Sequence, residues 1–290
     1  WGLGYLGGIA ILLLIIALMG SGFDADQVRL SMILCGVWTL VFTIPIFVAL
    51  KDKPPTDPGR QLGIVGSYRE LFSSIKRLWR TAPNTLFFLI AAALFRDGLA
   101  GVFAFGGVLA EGSFDFEFGE VVIFGVVANV VAGVATILFG LVDDKIGPKK
   151  VIVFSLVCLV LLGLGIFFLH EGGKPVFWAL GLALTIFVGP AQSASRSLLA
   201  RLIPEGMSGE MFGLYATTGR AVSFLSPLMF GLAIALGVAV VGGTEDSAQY
   251  WGILGVVVVL FIGLIFAIFV KEPPKTHLPP EDEFAAARMG

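Results

Sequence analysis

Charge is scarce in this 290-residue sequence: only 14% of positions are Asp, Glu, Lys or Arg, against about 25% in soluble domains. With 57% hydrophobic residues and a mean hydropathy of +0.95, too little polar surface exists to cover a soluble globule. Disorder is excluded as well, because it needs low hydrophobicity and high net charge. A basic excess is missing: nineteen Lys and Arg face twenty-one Asp and Glu, so nothing points to nucleic acid. Cysteine occurs twice, as Cys35 and Cys158, at no spacing that suits a disulfide framework or a metal site. His170 and His277 stand alone, and no Gly-x-x-x-x-Gly-Lys-(Ser/Thr) string implies nucleotide binding. No cofactor or metal is expected. What remains is an integral membrane protein with several spans.

Eight apolar runs approach or exceed the roughly 20 residues that cross a bilayer core. They lie at about 2–20, 31–50, 86–110, 121–142, 151–169, 175–195, 210–236 and 248–270. The runs are continuous and lack two-residue alternation, so they are helices rather than barrel strands. The chain opens on Trp1, and its first run has no basic leader and exceeds a signal-peptide core. The expectation is a span whose upstream chain is missing, so that the sequence is a piece of a longer protein.

The loops alternate in charge. Segments 51–85, 143–150, 196–210 and 271–290 hold fifteen of the nineteen basic residues. The opposite loops hold only Arg29 and Lys174, and 111–120 carries four acids. Basic loops mark the cytoplasmic side, which would put both ends of the chain in the cytoplasm and 111–120 outside. Trp178, Tyr250 and Trp251 fall where an outer aromatic belt would be. Four regions follow: two spans in 1–50, a basic loop in 51–85, six spans in 86–270, and a Pro- and Glu-rich tail in 271–290 that reads as solvated. The loop opens on a helix-ending Lys51-Asp52-Lys53-Pro54-Pro55. It continues into an amphipathic stretch in which Ile64, Tyr68, Leu71, Ile75, Leu78 and Trp79 recur at helical spacing. That helix either lies on the membrane face or packs on its own protein.

The most specific string is Gly140-Leu-Val-Asp143-Asp144-Lys145-Ile-Gly147-Pro148-Lys149-Lys150. Gly140 would permit close helix approach, and Asp144 would face a neighbouring helix N-terminus. Gly147 would allow a tight turn, and Lys145, Lys149 and Lys150 would hold the loop on the cytoplasmic side. The string resembles the loop signature of the major facilitator superfamily, Gly-x-x-x-Asp-(Arg/Lys)-x-Gly-x-(Arg/Lys)-(Arg/Lys). In that family the signature follows the second span of each six-span bundle. The resemblance implies an all-α integral membrane protein with the major facilitator fold, here spans five to twelve of twelve. A narrower likeness rests on Gly4-Tyr5-Leu6-Gly7-Gly8, Phe95-Arg96-Asp97-Gly98, the run Gly189 to Ser197, and Pro204-Glu205 followed by Met211 to Tyr215. Together these resemble the unidentified-major-facilitator branch, which includes autophagy-related vacuolar amino-acid effluxers. Spans one to four, standard in the family, are absent from this sequence.

Three charges fall inside spans. Arg96 lies ten residues past Leu86, about 15 Å deep in a core of roughly 30 Å. Asp97 is adjacent, and Arg220 is similarly deep in its own span. Each unpaired charge there costs about 2.5–3.5 kcal/mol on insertion scales, so the three must pair or face water. In the superfamily, span eleven lies beside span seven. The expectation is that Asp97 and Arg220 pair, leaving Arg96 to meet an anionic group such as a substrate carboxylate. Asp97, the lone carboxylate within a span, is also the candidate proton carrier. A structural ion pair is the alternative. Asn129 and Gln192 are further candidates for substrate contact, although an amide in Asn129's position also serves as an interhelical bond. Pro190 and Pro227 should kink their helices, as gates or as passive bends. Gly4 and Gly8 carry small-xxx-small spacing, and by resemblance they would meet the Asp144 end of span eight.

Taken together, these features point to a secondary transporter working by alternating access on small organic solutes. The resemblance implies amino acids, with efflux in the vacuolar members. Protons, the lipid bilayer and the missing N-terminal spans of the same chain are the expected partners. A membrane enzyme would need convergent catalytic groups, and a single intramembrane carboxylate without histidine does not supply them. A non-transporting structural or receptor-like protein is the alternative reading. Short loops favour a bacterial cytoplasmic membrane, with a vacuolar membrane as the other location.

Overall fold

The structure, a computed structural model, describes residues 2–19, 25–49, 64–203 and 207–272. Residues 51–55, Pro204-Glu205 and the tail from 273 on lie outside these. The described residues contain helices and no strand. The helices are α1 (Gly2–Met19), α2 (Ala25–Ala49), α3 (Ile64–Thr81), α4 (Pro83–Phe114), α5 (Phe118–Ile146) and α6 (Pro148–Phe168). A short α7 (Gly173–Val176) runs through a π-helical turn at Phe177–Gly181 into α8 (Leu182–Leu202). Then come α9 (Ser208–Ala221), α10 (Leu225–Val241) and α11 (Gly252–Phe269). Seven helical stretches are long and apolar enough to cross a membrane, and α1 is the remaining expected span.

Local chemistry explains the helix ends. Pro83 and Pro148 occupy first-turn positions, where a missing N–H costs nothing. A reciprocal capping box of Glu117 and Glu120 starts α5, with Glu120 Oε2 accepting the Glu117 N–H at 2.8 Å. The expected loop 111–120 therefore shrinks to a turn at 115–117, with Phe116 buried. At that end of the bundle Lys174 pairs with Glu120 at 2.6 Å, and Tyr250 stacks on His170. The 143–150 and 196–203 segments lie at the opposite, basic end.

Lipid is as apolar as leucine, so dispersion at close approach, more than the hydrophobic effect, must hold these helices together. The α4–α11 interface is built that way. A Cβ on Gly263 would lie 2.7 Å from the Phe95 backbone N, and one on Gly98 2.8 Å from Leu260. The bundle core runs through Phe88, Phe95, Leu99, Leu156, Leu159 and Leu198.

The first two helices dock differently. α1 packs on α5, where a Cβ on Gly2 would come within 2.9 Å of the Gly133 carbonyl. Gly4 and Gly8 do not make that contact: among the described residues a Cβ on either meets nothing within 4 Å. The register is thus set by Gly2 and Gly133, about three turns from Asp144. None of the apolar window of α2 is buried. The last turn of α3 packs on the bundle through Leu78 and Ile75, while Trp79 is 69% exposed. Its Arg77 pairs with Glu210 at 2.8 Å. The start of the C-terminal segment is anchored: Asn84 exchanges two hydrogen bonds with the Lys271 backbone, and Arg201 donates to Glu272 at 3.2 Å.

Because Gly263 meets backbone rather than a flexible side chain, Gly263→Val should destabilise the bundle by about 1–3 kcal/mol. Gly4→Val should leave it nearly unchanged. Thermal unfolding in detergent compares the two, and equal effects would contradict this packing.

Candidate functional site

The expected eleventh span is two half-helices. α9 ends at Ala221, α10 begins at Leu225, and the three residues between them are non-helical turns. Pro227 is the cause. It has no N–H for the carbonyl four residues back, and its ring clashes with that carbonyl, which belongs to Ser223. Pro227 therefore sits in the first turn of α10 rather than at a mid-helix kink, and the break falls one turn upstream. The Ser223 hydroxyl donates to the Arg220 carbonyl at 2.9 Å, a second bond beside the 3.3 Å one from its own amide at the end of the broken helix. Pro190 behaves otherwise. α8 continues through it, and the irregularity in that span is the π-helical turn at Phe177–Gly181.

Each broken end meets the charge its dipole favours. Arg220 stands in the last turn of α9, at the negative end. Asp97 reaches from α4 to the start of α10, where its Oδ2 accepts the Ser226 backbone N–H at 2.7 Å. Ser226 lies against Gly101, one turn along α4; a Cβ there would be 2.9 Å from Ser226 Cβ. The expected Asp97–Arg220 ion pair is absent among the described residues. The carboxylate has an alternative partner, an otherwise orphaned helix amide, that needs no second long side chain to be ordered.

Arg96 projects the other way, onto α9. Its Nη1 donates to the Tyr215 carbonyl at 3.0 Å, and its guanidinium lies 4.0 Å from the centre of the Tyr215 ring. Gly219 leaves room for it: a Cβ there would be 3.0 Å from Nη1. The Tyr215 hydroxyl hydrogen-bonds the Ser195 hydroxyl of α8, so one tyrosine ties three spans together.

These residues line one cavity of about 240 Å³, which brings together Arg96, Asp97, Gln192, Arg196, Tyr215 and Arg220. It is smaller than the about 300–1,000 Å³ typical of drug-sized ligand sites. Of the residues singled out in the sequence, Arg96, Asp97, Arg220 and Gln192 converge here. Asn129 does not: it lines a second cavity and donates to Gly125 of its own helix at 2.8 Å. Tyr215 is the residue that sequence reasoning missed as a site residue. Arg196 also lines the cavity. Among the described residues no cluster of His, Cys, Asp and Glu could hold a metal ion.

The signature loop lies at the basic end, away from the cavity. Gly147 adopts a φ of 93°, which glycine alone takes without strain, and hands the chain to Pro148 and α6. Asp143 is buried, while Asp144, Lys145 and Lys150 are exposed and Lys149 is half-buried. A Cβ on Gly140 meets nothing within 4 Å among the described residues, so no close approach is made there.

A family model described as "Vacuole effluxer Atg22 like" matches residues 1–272. An uncharacterized MFS-type transporter, YxiO of Bacillus subtilis, is 24% identical over 96% of this chain and 63% of its own length. Autophagy-related protein 22 of Yarrowia lipolytica is 27% identical over 94% of this chain and 50% of its own. Autophagy-related protein 22-1 of Aspergillus niger is 28% identical over 80% and 41%. The chain thus spans about two fifths to two thirds of the length of these curated relatives.

Removing the Asp97 side chain leaves the Ser226 amide orphaned, whereas an amide side chain still offers an acceptor. Asp97→Ala should cost about 1–3 kcal/mol of stability and Asp97→Asn clearly less. Thermal unfolding of the two variants checks this, and equal losses would contradict the capping role.

Proposed function

This chain belongs to the Atg22-like vacuole effluxer family, and from that premise we propose that it forms the C-terminal part of a secondary transporter for small organic solutes. The observation that carries the reading is the 240 Å³ cavity, where arginines from three spans meet one carboxylate and one amide. Transporter sites lie near the midplane between two helical bundles, often at broken helices, and this cavity sits beside such a break. Amino acids are the proposed substrates, moved outward from the compartment that holds them. Arg96 has four N–H groups beyond the one given to Tyr215, enough to take a substrate carboxylate in forked geometry. Arg220, at the break, is the second cation for that group. The remaining spans of a twelve-span protein would close the other side of the cavity.

Coupling to protons is proposed through Asp97. Its charge holds the first turn of α10. Protonation would weaken that hold and let α10 move relative to α4, linking proton occupancy to the gate. The proposed setting is a bacterial cytoplasmic membrane, with the basic end and the C-terminus in the cytoplasm.

Two outcomes are expected of the full-length protein in proteoliposomes. Arg96→Gln should reduce amino-acid flux at low substrate by roughly ten- to a hundredfold, the loss of one charge-assisted contact. Lack of flux with any of a panel of amino acids would refute the substrate class. For coupling, wild-type flux should follow the imposed proton gradient and Asp97→Asn flux should not. An Asp97→Asn protein that still follows the gradient would remove Asp97 from that role.

A further inference from the structure

A second cavity, of about 300 Å³, lies inside the bundle between α4, α5, α6, α8 and α11. It is set off from the cationic cavity by one contact. Gly101 lines it and packs against Ser226, whose amide holds Asp97 on the other side. Its walls carry no charged residue. The rings of Phe103, Phe105, Phe124 and Phe177 line it together with aliphatic side chains. Its two polar side chains are turned back onto their own helices: Asn129 Nδ2 donates to the Gly125 carbonyl and Thr185 Oγ1 to the Leu182 carbonyl, both at 2.8 Å.

Protein interiors are close-packed, so a space of this size is a departure that needs a cause. Glycine supplies part of it. Gly106 on α4 and Gly125 on α5 both line the cavity, and among the described residues a Cβ on either would meet no atom within 4 Å. Neither glycine is required by a helix contact; both simply leave the space open. The π-helical turn supplies the rest. It carries the extra residue that sets Phe177 and Gly181 on the cavity wall, and such turns recur at functional sites.

We infer that this cavity is a binding site for a compact, uncharged, apolar molecule of one or two rings, distinct from the cationic cavity. Size and chemistry both point there. Apolar cavities of about 150 Å³ take up benzene or xenon, and this space is larger and partly open. A charged ligand would find no counter-charge, and a strongly polar one would find only the remaining N–H and carbonyl oxygen of Asn129 in an otherwise apolar wall. Toward the 115–117 turn the cavity is backed by a ring cluster, in which Phe116 lies 5.4 Å from Phe177 and Trp178 lies 5.2 Å from Phe124. A bound ring would bridge α4, α5 and α11, and so would bear on how those helices shift against each other.

Trp178 is the built-in reporter, because it meets the wall ring Phe124 edge-on at 5.2 Å. The experiment titrates bromobenzene into the full-length protein in lipid nanodiscs and follows tryptophan fluorescence, which bromine quenches on contact. The expected result is a saturable component above the linear background of probe dissolved in lipid. Gly106→Leu and Gly125→Leu fill the cavity from opposite walls, and each should raise the half-saturating concentration at least about tenfold. Gly231→Leu, on α10 outside the cavity and equally open around its Cβ, should leave the saturable component unchanged. Linear quenching alone in the wild type would overturn the inference. So would a saturable component that survives both filling variants, or that Gly231→Leu abolishes as well.

Discussion

The arrangement of the site depends on a single hydrogen bond between the Asp97 carboxylate and the Ser226 amide. Pro227 breaks span eleven, and a broken helix inside a membrane leaves donors and acceptors that lipid cannot satisfy. The fold resolves this locally. A carboxylate from α4 takes the open amide of α10, and a serine hydroxyl reinforces the weakly bonded carbonyl at the end of α9. The break is thereby stable enough to persist and short enough to bend. It also decides where the charges go. With Asp97 committed to a helix end, Arg220 and Arg96 face a shared cavity instead of neutralising a neighbouring acid.

That division of labour matters for recognition. An arginine paired with an aspartate across two spans would be a structural ion pair with little left to offer a solute. Here the Arg96 guanidinium is held on the Tyr215 ring and carbonyl, a placement that keeps its charge. Tyr215 in turn is fixed by Ser195 on a third span. The cation is therefore preorganised by neutral groups, so little ordering is left for binding to supply.

Most of the scaffold was legible in the sequence. Long apolar runs have one stable form in lipid, so the helices and their order followed directly, and the amphipathic periodicity of 64–79 gave α3. Arg96, Asp97 and Arg220 stood out because charge inside a span is costly and therefore informative, and Gln192 because it follows Pro190 in its span. The partners were not legible. Asp97 was expected to seek Arg220, because charge complementarity is visible in a sequence and an open backbone amide is not. The missed signal was Ser226-Pro227 itself, since proline in a first turn marks a helix start as readily as a kink. Asn129 illustrates the other limit. Its mid-span position offered an interhelical bond or a substrate contact, but it bonds back to Gly125 of its own helix beside a separate cavity, and only packing determines that. Gly4 and Gly8 matched a spacing, whereas contact was made by Gly2 and Gly133, because spacing alone does not fix rotation about the helix axis.

Hydrogen–deuterium exchange of the amides from 222 to 228 in the full-length protein tests the central claim most directly, with wild type and Asp97→Ala compared. In the wild type the Ser226 amide should be protected while its neighbours in the 222–224 turn exchange faster than α10 beyond residue 229. Loss of the carboxylate should then deprotect Ser226 selectively and leave 229–241 unchanged. Uniform protection across 210–241 in both proteins would mean an unbroken span, and the account built on its break would be wrong.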